Sequence, residues 1–282
     1  MNALISRTGL AAVDAFRPEV PNMAAVDIRK IAMDFGGSVL ALTDIDLTLQ
    51  EGEFLALVGP SGCGKSTLLK LISGLVKPSR GQVRVRGQAV VGPPRGIGFM
   101  FQRDALLPWA TVRENIAVGL ECSGYSKRSR QRRIDELLSF VGLEQFGHHY
   151  PRTLSGGMRQ RVALGRILAY APDIYLMDEP FGALDAQTKL LMGQELLNIW
   201  SRFRKAIIFV THDIEEAVGL ADRVVVMTGR PGRIKSEYRI DLPRPRDSRN
   251  VRKLPRFHRL VDAIWSDIMA EPVRADIAVP KA

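Results

Sequence analysis

The sequence predicts an α/β fold in which a parallel sheet is wrapped by helices. Three observations predict it. Short continuous apolar runs recur along the chain, each the length of a strand buried on both faces. Stretches with apolar residues at helical spacing fall between several of them. One segment, about residues 103–171, breaks this rhythm and reads as mostly helical, as a subdomain inserted in the α/β core would.

Residues 26–35, VDIRKIAMDF, read as a strand. DIDLTLQ then alternates strictly, with Ile45, Leu47 and Leu49 on one face and Asp44, Asp46 and Thr48 on the other, the pattern of a half-buried strand. FLALV, residues 54–58, is apolar throughout and predicts a strand buried on both faces. Residues 97–101, 174–177, 207–210 and 224–227 predict further buried strands. KSTLLKLI opens a helix near Lys65. Ile134, Leu137, Leu138 and Val141 recur at helical spacing, as do Met192, Leu196, Trp200 and Phe203. Beyond Leu242 the chain turns rich in Pro and Arg. A last amphipathic helix follows, with Phe257, Leu260, Val261, Ile264, Trp265 and Ile268 on one face, expected to pack on the domain. Residues 1–24 are expected to be a flexible extension, 25–245 the main domain, and 246–282 a basic linker with the amphipathic helix.

Composition sets the outer bounds. With 282 residues, 46% hydrophobic and 25% charged, the chain can bury a sizeable core. No stretch approaches the roughly 18 consecutive apolar residues of a membrane span, so any membrane role is expected to be peripheral. The N-terminal stretch lacks a compelling signal-peptide pattern. The two cysteines, Cys63 and Cys122, do not suggest a disulfide framework and fit a reducing compartment. A net charge of +10 suits nucleic acid or an anionic membrane surface. It clusters at residues 127–133 (KRSRQRR) and 244–259, and such runs are often no more than solvated faces.

The chemistry starts with GPSGCGKST, residues 59–67, which satisfies G-x-x-x-x-G-K-[ST], the phosphate-binding P-loop. It follows a strand and opens a helix, as that motif requires. Gly59, Pro60, Ser61, Gly62, Cys63 and Gly64 form the curl whose N–H groups can point at phosphate oxygens, and the start of the helix at Lys65, Ser66 and Thr67 adds partial positive charge. Lys65 can reach the β- and γ-phosphates, and the Ser66 hydroxyl can ligate Mg²⁺. IYLMDEP delivers two adjacent carboxylates at a strand end: Asp178 suits Mg²⁺, and Glu179 suits the polarisation of an attacking water. His212 and Gln102 end two other strands. Parallel sheets bind ligands at those ends, so His212 is placed to steady the γ-phosphate or the water, and Gln102 to ligate Mg²⁺ or orient water.

LSGGMRQR, residues 154–161, has no acid, base or activated nucleophile. Ser155 is a good N-cap for the helix that follows, and Gly156 and Gly157 allow close backbone approach, so the stretch is an anion-binding helix start. With GPSGCGKST, Gln102, LSGGM, DEP, the GALD turn at residues 182–185 and His212 in this order, nearly all of residues 25–230 resembles the ATP-binding-cassette (ABC) ATPases. The resemblance implies a P-loop, RecA-like core with a parallel sheet, an antiparallel β subdomain and the inserted α-helical subdomain. It implies ATP and Mg²⁺ as cofactors and a head-to-tail dimer of two copies, each ATP lying between the P-loop of one and the signature residues Ser155, Gly156 and Gly157 of the other. Phe35 stands where the family places an aromatic that stacks on adenine, and Asp185 resembles the residue that links the two ATP sites. Met158 replaces the family's commoner Gln.

One cassette without membrane spans most resembles the ATPase subunit of a bacterial importer at the cytoplasmic face of the inner membrane. FQRDALLPWATVRENIAVGL, residues 101–120, and ADRVVVMTGRPGRI, residues 221–234, resemble the nitrate, sulfonate and taurine importer family. That resemblance implies transmembrane permease subunits as partners and an extracytoplasmic solute-binding protein indirectly. Leu106, Leu107 and Trp109, stiffened by Pro108, can form an apolar surface for a permease helix, or pack locally. The competing class is a soluble ABC ATPase acting on nucleic acid or ribosomes. No interleaved aromatics or binding motif support it, so no nucleic acid is expected. A soluble P-loop kinase or GTPase has no use for LSGGM.

Overall fold

A computed structural model describes residues 24–36, 40–103 and 105–270. The expected N-terminal extension lies outside the described residues apart from Ala24. The chain runs β1 (Val26–Asp34), β2 (Leu40–Leu49), β3 (Phe54–Val58), α1 (Lys65–Ile72), β4 (Arg80–Val85), β5 (Gln88–Ala89), β6 (Ile97–Met100), α2 (Val112–Cys122), α3 (Lys127–Phe140), α4 (Gly156–Tyr170), β7 (Ile174–Asp178), α5 (Ala186–Phe203), β8 (Ala206–Val210), α6 (Ile214–Leu220), β9 (Arg223–Met227), β10 (Ile234–Arg239) and α7 (Pro255–Met269).

Two sheets form. The larger has the order β10-β9-β3-β8-β7-β6. Its four inner pairings, from β9 through β3, β8 and β7 to β6, are all parallel, and β10 joins β9 antiparallel at the edge. The smaller is antiparallel, in the order β2-β1-β4-β5. The larger sheet is a wall between two apolar cores. Phe54, Ala56 and Val58 of β3 face one core, built mainly with α2 to α7, and Leu55 and Leu57 face the other, built with α1 and the small sheet. This two-sided burial is why FLALV has no polar alternation. β2 keeps the alternation read in its sequence: Ile45, Leu47 and Leu49 are buried, and Asp44 and Asp46 are exposed.

Helix starts follow local chemistry. Thr111 and Glu114 make a reciprocal capping box at α2. Ser155, Asp185 and Asp213 cap α4, α5 and α6 through their side-chain oxygens. The segment between β6 and β7 is helical, carrying α2, α3 and α4 and two short 3₁₀ turns.

Several elements carry too little signal to be picked out from sequence. β4 buries only Val83 and Val85, β10 is polar, and α6 has just seven residues. The α7 face differs from expectation at one residue. Phe257 and Ile264 are buried in the core, but Trp265 is 52% exposed. Phe257 and Ile264 are two helical turns apart and share a line, whereas Trp265 lies about 100° round the helix from Ile264. The segment before α7 is docked: Arg246 is buried and donates to Ala221 O at 2.5 Å and Ile240 O at 3.0 Å, and burial lowers its guanidinium pKa to about 10.

Candidate functional site

The carboxyl ends of β3, β6, β7 and β8 converge on one edge of the large sheet. β3 delivers residues 59–64 into a tight curl before α1. Gly59, Gly62 and Gly64 have φ of 150°, 76° and 98°, a region that favours glycine. Space demands it too: a methyl at Gly59 would come within 2.6 Å of Met227 O, and one at Gly64 within 2.5 Å of Leu42 Cδ2. No side chain caps α1 and no acid sits in its first turn, which leaves its first N–H groups for an anion. Lys65 is buried, its ammonium bonded to Gly59 O at 2.8 Å and Pro60 O at 2.9 Å, with Cys63 Sγ at 3.5 Å. These are carbonyls of its own loop, and an arriving phosphate offers a stronger, charged acceptor.

Residues 61–67 line an open cleft of about 270 Å³ with Phe35, Ala41, Gln102, Glu179 and Arg230. Phe35 is 57% exposed at this cleft, so it is not a core residue. Gln102 lies just beyond the end of β6, which stops at Met100.

Asp178 ends β7 and is only 3% exposed. Its Oδ1 has no hydrogen-bond partner. Burial raises its pKa above the ordinary carboxylate value, partly offset by a bond to the Ser66 hydroxyl. A buried carboxylate oxygen without a partner, beside a serine hydroxyl and a phosphate loop, suits a hard divalent cation. Among the described residues no cluster of three or more His, Cys, Asp or Glu could hold a metal. Glu179 leaves the strand with φ 49°, its N–H bonded to Val210 O at 2.9 Å. Its carboxylate meets His212, whose Nδ1 is 3.4 Å from Glu179 Oε2.

Ser155, Gly156, Gly157 and Asp185 do not line this cleft. Ser155 Oγ accepts from Met158 N at 3.2 Å, and Asp185 accepts from Thr188 N at 2.9 Å. Gly157 packs closely on the neighbouring turn, since a methyl there would sit 3.1 Å from Ala183 O. At Gly156 the nearest side chain would be 3.8 Å away, so nothing in this chain demands a glycine there.

The structure adds residues that the sequence did not single out. Arg230 reaches the cleft on a turn locked to β2: Gly232 N donates to Ala41 O at 2.9 Å, and Thr43 N donates to Gly232 O at 3.0 Å. Asn115 is fully buried and ties down the Leu107–Trp109 loop, accepting from Leu107 N at 2.8 Å and donating to Ala110 O at 3.0 Å. That loop displays Trp109, 74% exposed, while Leu106 and Leu107 are half-buried. Gln160 joins α4 to the turn after Glu179. Gln160 is flanked by Arg159 and Arg161, and Asn115 follows Arg113 and Glu114, so no local pattern set either residue apart from a solvated face. Within the basic run of α3, Arg130 pairs with Glu121, and Arg132 and Arg133 pair with Glu136.

The ABC transporter family model matches residues 42–182, from within β2 through Glu179 to the turn that follows. The chain belongs to the ABC transporter family. This cassette is 45% identical over 250 residues to a nitrate import ATP-binding protein of Synechocystis sp., covering 87% of this chain and 94% of the relative. It is 43% identical over 254 residues to a taurine import ATP-binding protein of Roseobacter denitrificans, covering 86% of this chain and 95% of that one. The dimeric structure of a bacterial ABC transporter cassette superposes with a TM-score of 0.72 at 32% identity, covering 77% of this chain and all of the other. A post-hydrolysis cassette bound to ADP and phosphate superposes at 0.71 and 33% identity, with the same coverage. The fold is thus the cassette ATPase fold that the sequence predicts, with both its parallel and its antiparallel sheet.

Proposed function

We propose that this cassette is the ATP-hydrolysing subunit of an importer. The observation that carries the proposal is the convergence on one sheet edge of three features: the Lys65 ammonium held by exchangeable carbonyl bonds, the partnerless Asp178 Oδ1, and the Glu179–His212 pair. Lys65 and the N–H groups of residues 61–67 hold the β- and γ-phosphates, and Phe35 stacks on the base. Ser66, Asp178 and Gln102 hold Mg²⁺, which when bound spreads the charge of the phosphate oxygens. Glu179 orients the attacking water and draws its proton, and His212 holds that carboxylate and the γ-phosphate end of the site.

Two cassettes pair head to tail. Ser155, Gly156 and Gly157 of one then close on the nucleotide of the other, which accounts for a glycine at 156 that the chain's own packing does not need. Asp185 reaches across the same junction. Trp109, exposed on its tied-down loop, meets a permease helix. Among the described residues no helix is long and apolar enough to cross a membrane, in keeping with a peripheral subunit at the cytoplasmic face of the inner membrane. The relatives named for nitrate and taurine import favour a small oxyanion or organosulfur solute, delivered by an extracytoplasmic binding protein. The same names disfavour the alternative of a cassette acting on nucleic acid or ribosomes.

The test is an affinity pull-down of the tagged chain from detergent-solubilised membranes of its source. A stoichiometric multi-span permease is the expected result. Ribosomal or DNA-associated proteins with no permease would overturn the importer assignment.

A further inference from the structure

Gln160 lies in the second turn of α4, a few residues after Ser155, Gly156 and Gly157. Its side chain is 6% exposed, and both ends of its amide are used. Nε2 donates to Glu179 O at 2.8 Å, and Oε1 accepts from Ala183 N at 2.8 Å. The amide therefore spans the turn that Glu179 opens. That turn is held at few other points: Gly182 N donates to the same Glu179 O at 3.1 Å, and Leu184 N donates to Phe181 O at 3.1 Å. Glu179 itself sits at φ 49°, a conformation that a residue with a side chain keeps only when its surroundings hold it. Gly157 backs onto the same turn, close to Ala183 O. The start of α4 and residues 179–184 are thus one hydrogen-bonded unit, and the unit ends at Asp185.

We propose that Gln160 is a positioning residue that relays the engagement of Ser155, Gly156 and Gly157 to Glu179 of the same chain. α4 would shift when these residues close on a second cassette's nucleotide. The Gln160 amide carries that shift to the Glu179 carbonyl, and so to the angle at which the Glu179 carboxylate meets His212. The relay rests on the paired-cassette proposal above; the hold on Glu179 does not. The chemistry requires an amide. One partner is a carbonyl and the other an N–H, so the side chain must donate at one end and accept at the other. Glutamate would meet the Glu179 carbonyl with a second acceptor, and leucine would strip the Gln160 acceptor from Ala183 N and leave the Glu179 carbonyl only its bond from Gly182 N.

The experiment uses the full chain with Gln160→Leu and Gln160→Glu, each alone and combined with Ser155→Gly, which removes the hydroxyl yet remains a tolerable cap. Three quantities are read with Mg²⁺: ATP binding by a fluorescent ATP analogue, steady-state hydrolysis against ATP concentration, and melting temperature. Gln160→Leu should leave analogue affinity within about twofold while kcat falls by about 30-fold or more, because the group it holds acts in the chemical step and not in binding. Its Hill coefficient should fall toward one. Ser155→Gly should lower kcat in the wild-type background but by less than about threefold on top of Gln160→Leu, since residues acting as one unit are not additive. A Gln160→Leu chain with wild-type kcat overturns the proposal, and so do losses that simply multiply. If the leucine variant does not fold, Gln160→Glu carries the same prediction, because it keeps the Ala183 acceptor and loses the donor to Glu179. The paired-cassette proposal fails separately, if Glu179→Gln stays monomeric with Mg²⁺ and ATP. That outcome removes the relay for want of a second nucleotide. Additive losses in a chain that does pair remove the relay alone.

Discussion

His212 Nδ1 lies 3.4 Å from Glu179 Oε2, across the carboxyl ends of the neighbouring parallel strands β7 and β8. The pairing is set by backbone, because Glu179 N donates to Val210 O at 2.9 Å and fixes the two strand ends side by side. Glu179→Gln keeps shape and removes the proposed base. Hydrolysis should slow by about 10²–10⁴-fold while ATP binding persists, and scattering should show a Mg²⁺–ATP dimer. His212→Ala removes one contact to a charged group, so kcat should fall less, by about 10- to 100-fold.

Asp178 gives a prediction about stability. Its folded-state pKa is raised, chiefly by burial, so the native state binds the proton more tightly than the unfolded chain. Stability therefore falls as pH rises from the unfolded value of 3.8 through the higher folded value, and the penalty persists above it. Without nucleotide or Mg²⁺, Asp178→Asn should raise the melting temperature at pH 7 by about 2–4 °C, the shift that 1 kcal/mol produces in a large domain. The gain should vanish near pH 3 and in saturating Mg²⁺–ATP. A thermal scan across pH checks each part, and equal melting of the two chains at pH 7 would refute the account.

Gly232 does not line the cleft, yet a methyl there would come within 1.9 Å of Cys63 O. Both atoms belong to tightly bonded backbone, so the P-loop must move. Gly232→Ala should weaken ATP binding by about tenfold or more in a nucleotide titration. The same change at Gly156, where space is open within this chain, should leave the affinity of a monomer unaltered.

Trp109 is exposed on a loop whose backbone Asn115 holds. Trp109→Ala should leave folding stability within about 0.5 kcal/mol and leave basal ATPase activity intact, because nothing in the nucleotide cleft rests on the ring. Solute uptake by reconstituted transporter should be lost. Equal loss of both activities would sink its assignment to the permease contact.

The local determinants were legible in the sequence. The P-loop is a contiguous stretch whose glycines set its curl and whose lysine ammonium bonds back to carbonyls five and six residues away, so its form is written in adjacent residues. Apolar runs such as FLALV carry burial on both sides of the large sheet, and Ser155 and Asp185 announce helix starts because capping involves residues three apart. What tertiary structure alone decided involves residues far apart in the chain. Arg230 and Gly232 meet the P-loop only because β9 is the neighbour of β3, although more than 160 residues of sequence separate them. Gln160 meets Glu179 because the inserted helices fold back across β7, and Trp265 turns outward because α7 packs along Phe257 and Ile264. Hydrophobic period and motif spacing report on neighbours within a turn or a strand; sheet order and helix docking are settled by which buried surfaces and backbone hydrogen bonds can be satisfied together, and no single segment contains that information.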